Sequence, residues 1–157
     1  MASPAATEAR PFEDLLALST LTLATCGPDG EPHAAAVYFA ASLSLAPGEL
    51  PQLYFFSHPD SQHSRDILAD PRAAAACYPE CYDWQDIRGL QMRGNVRQLA
   101  PGPEWEAAWA CYLAKFPFVS GLKDVVAQNA LYVFTPQWLR LVDNRRGFGF
   151  KQEWTFP

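Results

Sequence analysis

The chain has 157 residues, 49% of them hydrophobic, which is the size of one ordinary domain able to bury a full core without disulfide staples. Its formal net charge is −5, so no surface-wide field would draw nucleic acid or an anionic membrane, and a bound anion must be held by local donors. No apolar run reaches membrane length, and the start MASPAATEAR lacks the basic and apolar segments of a secretory signal, so the expectation is a single cytoplasmic domain over residues 1–157.

In chain order, RPFEDLLAL (10–18) predicts a short amphipathic helix with Pro11 in the first turn and Glu13 and Asp14 near its positive end. Two strands follow, about 20–26 and 32–41, joined by the turn residues Gly27-Pro28-Asp29-Gly30. The polar segment SLAPGELP leads to a third, aromatic strand at 53–57. A helix from about Ser61 to Ala69 ends at Asp70-Pro71, and RAAAACY reads as a small-residue strand near 73–78.

The stretch from Gly89 to about Leu99 alternates with period two. Leu90, Met92 and Val96 fall on one face, and Gln91, Arg93, Asn95 and Arg97 on the other. Pro101, Gly102 and Pro103 stop it, and EWEAAWACYLAKF is a helix with Trp105, Ala108, Trp109, Tyr112 and Leu113 on one side. VSGLKDVVAQ adds a turn or two of helix. ALYVFTP and QWLRLVD read as two last strands before the tail NRRGFGFKQEW. Six or seven strands without a helix after each suggest a mainly β protein, an antiparallel barrel with flanking helices.

Cysteine spacing argues against zinc: Cys26, Cys77, Cys81 and Cys111 do not form two close pairs, and Cys77 and Cys81 fit a strand and the turn after it. The basic residues are uneven. Residues 1–64 carry Arg10 against seven acids, whereas Arg88, Arg93, Arg97, Arg140, Arg145 and Arg146 all lie later, so a basic region is expected inside an acidic protein.

The order of the Asp29-Gly30-Glu31-Pro32 hairpin, LYFFS, the Ser61-Gln62-His63-Ser64-Arg65 helix start, ADPRAAAA and a strand ending in Arg-Gly with an aliphatic residue two further on resembles the FMN-binding split barrels related to pyridoxamine 5′-phosphate oxidase. The resemblance runs from about Leu18 to Arg97. RGLQMRGNVRQL and DNRRGFGFKQEW are similar to a branch of short bacterial members with no assigned reaction. It implies an antiparallel split barrel, FMN as cofactor, and a homodimer with the flavin between subunits.

FMN carries a phosphate with about two negative charges, which asks for charge-assisted donors at a helix start. The resemblance assigns that role to Ser57, Ser61, His63, Ser64 and Arg65, with Arg65 the one full positive charge and no lysine in the segment. N-capping of the helix is an equally good account of Ser61 and Ser64. The flavin ring would lie along Ala35–Phe39 with Tyr38 at its edge, although a strand tyrosine is also ordinary core. Gln91 and Arg93 are the two residues of the polar face that the resemblance brings to the flavin, and Arg97 reads as surface. The tail RRGFGFK reads either as an anion-binding loop or, preferably, as an arm burying its aromatics across a dimer contact. No catalytic residue is named by the sequence, and the substrate residues of pyridoxamine 5′-phosphate oxidase itself have no counterpart, which leaves a small flavin reductase or oxidoreductase. The alternatives are a haem protein, with His33, His58 or His63 as axial ligand, and a cofactor-free dimeric binding protein.

Overall fold

The computed structural model describes residues 10–42 and 49–156; the predicted polar loop around 43–48 and the extreme N-terminus lie outside them. Leu21, Leu23 and Thr25 alternate inward along β1 (Thr20–Cys26), and the chain reverses at Gly27–Gly30 into β2 (Pro32–Tyr38). Gly30 takes a positive φ of 84° there, the backbone that a glycine adopts without cost, and its N–H donates to the Gly27 carbonyl at 2.9 Å. The predicted strand 32–41 breaks at Phe39. Its first part pairs with β1, and its continuation β3 (Ala40–Ser42) pairs instead with β4 (Gln52–Ser57).

The remaining strands are β5 (Arg72–Cys77), β6 (Arg88–Gln98), β7 (Ala130–Asp143) and β8 (Lys151–Thr155). All pairings are antiparallel, in the order β2-β1-β5-β6-β7-β4-β3 with β8 on β7. Because β2 runs on into β3, the sheet curls until its ends nearly meet, leaving a split between β2 and β4. The architecture is thus the expected antiparallel split barrel with flanking helices.

ALYVFTP and QWLRLVD form one 14-residue strand rather than two. The inward residues of β7 are Tyr132 and Phe134 before Pro136 and Leu139 and Leu141 after it, a change of parity that needs one extra residue. The register supplies it: Arg93 faces Trp138 and Gly94 faces Pro136, so Gln137 is a bulge. A proline and a broken alternation look like a strand end in sequence, and a bulge accommodates both.

Two helical segments cap the barrel. Helix α1 is a single turn, Glu13–Leu16, shorter than predicted, but Phe12, Leu15 and Leu16 are fully buried and close one end. Helix α2 (Gln62–Ala69) lies against β1, β2 and β6, with Ile67 in the core. Helix α3 (Pro103–Lys115) covers the outer face of β4 and β7 through Ala108 and Tyr112, and α4 (Lys123–Ala127) follows a short 3-10 segment. The tail is not a free arm. It turns at Gly147 and Gly149, both at positive φ, and returns as β8 on its own sheet, where Trp154 meets Phe12 edge-on at 4.9 Å.

Candidate functional site

Helix α2 starts at Ser61 because its hydroxyl accepts from the Ser64 N–H at 3.4 Å, an N-cap that also fixes a polar cluster. Ser61 Oγ lies 3.1 Å from Ser57 Oγ and 2.8 Å from Ser64 Oγ. His63 Nε2 stands 2.5 Å from Ser57 Oγ and 3.3 Å from Ser61 Oγ. Three hydroxyls and one imidazole nitrogen therefore converge beside the split, between the end of β4 and the start of α2. Ser57, His63 and Ser64 are buried.

Two groups behind the cluster set its charge. The His33 ring of β2 stacks on His63 with centroids 6.3 Å apart. Burial first, and then His33, hold His63 below the ordinary 6.5, while Asp66 works the other way. His63 is therefore neutral at neutral pH. Asp66, one turn along α2 and 1% exposed, accepts from Thr25 Oγ1 and from Gln62 Nε2, both at 2.7 Å. Those bonds, the Thr25 one foremost, keep its carboxyl below the ordinary 3.8 against the opposing effect of burial. A depressed carboxylate stabilises the fold above its unfolded value and loses that contribution as pH falls through the folded one. Asp66→Ala should cost about 2 kcal/mol in urea unfolding at pH 7, since it strands the Thr25 hydroxyl, and less as the medium becomes acid enough to protonate Asp66.

Arg65 is not brought to the cluster. It sits on the exposed side of α2, its guanidinium donating to the Asp60 carbonyl and, at 2.9 Å, to Gln62 Oε1, so its visible role is to hold the turn before the helix. A polar cleft of about 640 Å³ borders His33 and Gln62, but it is also lined by Asp29 and Glu31. That mouth is unfriendly to an anion. The serine side of the cluster is the better approach.

Among the described residues no helix covers the outward face of β2, β1, β5 and β6. Register aligns Ala34, Ala24, Ala74, Arg93 and Trp138 in one row, and Ala36, Thr22, Ala76, Gln91 and Arg140 in the next. The result is a flat surface of small side chains ending in a charged corner. There Arg93 lies 4.2 Å and Arg140 4.7 Å from the Trp138 ring, and Arg140 also pairs with Glu153 at 2.7 Å and reaches Gln91 Oε1 at 3.4 Å. Arg97 pairs with Glu104 on the surface, as expected of it. Tyr38 is 55% exposed, beyond the alanines on the same face of β2, where it meets Phe116 edge-on at 5.4 Å.

Sequence reasoning thus found Ser57, Ser61, His63 and Ser64 together and missed Asp66, Trp138 and Arg140. The first of these carries a findable signal, a carboxylate on the inner side of an amphipathic helix; the other two depend on the β7 bulge.

A curled antiparallel sheet with a hydroxyl-rich helix start at its split defines the split-barrel class of fold. Residues 8–143 match the sequence profile of that class, described as pyridoxamine 5′-phosphate oxidase, and the chain belongs to this family. It is 28% identical over 122 residues to the UPF0306 protein YhbP of Salmonella paratyphi A, covering 78% of this chain and 79% of that one. The fold is shared with a conserved hypothetical protein of Mycobacterium tuberculosis, at TM-score 0.71 and 17% identity over 93% of this chain and 92% of that one. It is also shared with a heme binding protein of Mycobacterium smegmatis, at TM-score 0.70 and 24% identity over 94% of this chain and 59% of that one.

Proposed function

We propose that the protein binds FMN at the Ser57–Ser61–His63–Ser64 cluster, as a small flavin-dependent oxidoreductase or flavin reductase acting from a homodimer. The observation that carries this reading is the convergence of three hydroxyls and an imidazole on the N-terminal turn of α2, the donor set that a phosphate takes. The fit extends to the ring, since the Ala34 and Ala36 surface lets a flat molecule approach the β2 backbone, with Tyr38 beyond it and Gln91 and Arg93 across the same face. FMN when bound supplies the hydride or electron transfer. The chain's part is to hold the phosphate, set the ring against β2 and shield it from water.

Among the described residues no guanidinium or ammonium is placed at the cluster, so the charge that a phosphate favours has to come from the His63 imidazole. That predicts an affinity dependent on proton uptake by His63. Purification followed by an absorption spectrum tests the proposal: the paired near-ultraviolet and blue bands of oxidised flavin are expected, and a colourless protein that takes up no added FMN would overturn it.

Haem is the second reading, favoured by the heme binding protein of Mycobacterium smegmatis among the structural neighbours. The geometry supports it less well, because His63 is engaged with Ser57 and stacked on His33, which leaves the exposed His58 and the half-exposed His33 as ligands. A Soret band in the same spectrum would select it. A third reading, a cofactor-free binding protein, corresponds to neither spectrum.

The uncovered face of β2, β1, β5 and β6, with Ala34 and Ala36 exposed, suits a second copy of the chain across the flavin. Sedimentation at micromolar concentration should give about 35 kDa, twice the 17.4 kDa chain. A concentration-independent monomer would rule the dimer out.

A further inference from the structure

On the other side of Tyr38 from the alanine surface, the side chains of β2, β4, α3 and α4 line a half-open cavity of about 220 Å³. Tyr38, Phe56, Tyr112, Phe118 and Val126 line it, with Asn129 at its rim as the one amide. The inner wall is a packed aromatic cluster: Phe56 meets Tyr112 at 5.1 Å and Tyr112 meets Phe116 at 5.0 Å. None of the described residues that line it is charged.

Tyr112 is the telling residue. It is 5% exposed, yet its hydroxyl makes no hydrogen bond with any described residue, and it is not sealed from the cavity. With no protein partner and an oxygen that is not sealed off, this hydroxyl is left to water, and an acceptor on a guest in the cleft would take that water's place. Burial, with Tyr38 second, pushes this hydroxyl up to about 12, so it stays a donor at any physiological pH. Asn129 gives one of its two amide N–H groups to the Val125 carbonyl at 2.6 Å, so it stands at the rim as a second, partly used donor beside Tyr112.

We propose that this cavity binds an uncharged one- or two-ring aromatic molecule carrying a carbonyl-type oxygen, with Tyr112 donating to that oxygen and Tyr38 closing over the ring. An apolar cavity of about 150 Å³ accommodates benzene, so the size matches a ring with a small substituent. The absence of any cation excludes phosphorylated or carboxylated ligands. The site stands one residue pair along β2 from the surface proposed for the flavin ring, where a carbonyl compound would lie beside it.

The test pairs acetophenone with ethylbenzene, which share a ring and shape and differ by the carbonyl oxygen. Both are titrated by NMR into the purified protein without added FMN, so the outcome does not depend on the flavin proposal. Acetophenone should bind up to about tenfold more tightly, the net worth of one hydrogen bond made in place of one to water. Tyr112→Phe should remove that preference while leaving ethylbenzene binding intact, and Val126→Phe, which fills the space, should abolish both. Equal binding of the two probes, an acetophenone preference that survives Tyr112→Phe, or no binding of either would each overturn the assignment.

Discussion

Gly94→Ala is expected to destabilise the fold by about 3 kcal/mol, because the position has no room for a single added carbon. Gly94 sits opposite Pro136 at the β7 bulge, and a Cβ there would overlap the Thr135 carbonyl oxygen and stand 2.8 Å from the Pro136 Cα. These are backbone atoms, fixed by the pairing of two long strands, so they cannot rotate away as a flexible side chain would. The strands must separate at the bulge or the bulge must move. In a domain of this size the cost corresponds to a thermal midpoint lower by roughly 10 °C. Gly121→Ala is the control: nothing lies within 4 Å of the added carbon and its φ is unremarkable, so it should be neutral or slightly stabilising. Parallel losses in both variants would mean that the crowding at Gly94 is not the cause.

The same bulge marks where the sequence could be read and where it could not. Hairpin and helix signals are local, so the turn Gly27–Gly30, the N-cap Ser61 and the stop at Asp70-Pro71 were legible from a few adjacent residues. Period-two alternation placed Leu90, Met92 and Val96 inward on β6 as it should. On β7 the same alternation is interrupted, because one extra residue reverses the parity and Pro136 mimics an end. The break at Phe39 is equally invisible, since nothing in the run HAAAVYFAAS says that pairing switches from β1 to β4. Helix α1 was overextended because amphipathic spacing continues past the single turn that fits over the barrel end.

The candidate site divides the same way. Serines and a histidine within one helical turn meet whenever that helix forms, and the hydroxyl of Ser57 joins them because β4 ends one tight turn earlier. The direction of Arg65 was not legible. It lies two residues beyond His63, about 200° round an α-helix, so burying His63 turns Arg65 to solvent. The tail misled for a different reason: aromatic residues near a terminus fit a swapped arm and an ordinary last strand alike, and only the register of β8 on β7 decides. What makes the corner of Arg93, Trp138 and Arg140 is tertiary, three side chains from two strands aligned by a bulge.

His63→Ala should weaken FMN binding about ten- to a hundredfold, with riboflavin binding little changed. Riboflavin has the same ring and no phosphate, so the difference isolates the cluster from the sheet face. His63 Nε2 lies 2.5 Å from Ser57 Oγ and 3.3 Å from Ser61 Oγ, in position to share a phosphate oxygen with both. Arg65→Ala should cost FMN less than about tenfold, because that guanidinium is bonded to the Asp60 carbonyl and Gln62 and its loss is felt through the turn. The pH dependence separates the two. In the unliganded protein His63 is held below 6.5 by burial and by His33, with Asp66 as the nearby opposing charge. A phosphate placed against it favours the imidazolium, so the complex takes up a proton and FMN affinity rises as pH falls from about 7.5 towards 6, where the phosphate itself begins to protonate. Riboflavin should show no such rise, and His63→Ala should flatten it for FMN while Arg65→Ala leaves it in place. Fluorescence titrations of both flavins across that range decide the matter: a rise that persists without His63 would move the proton uptake elsewhere, and a larger FMN loss in Arg65→Ala than in His63→Ala would return the phosphate to the arginine.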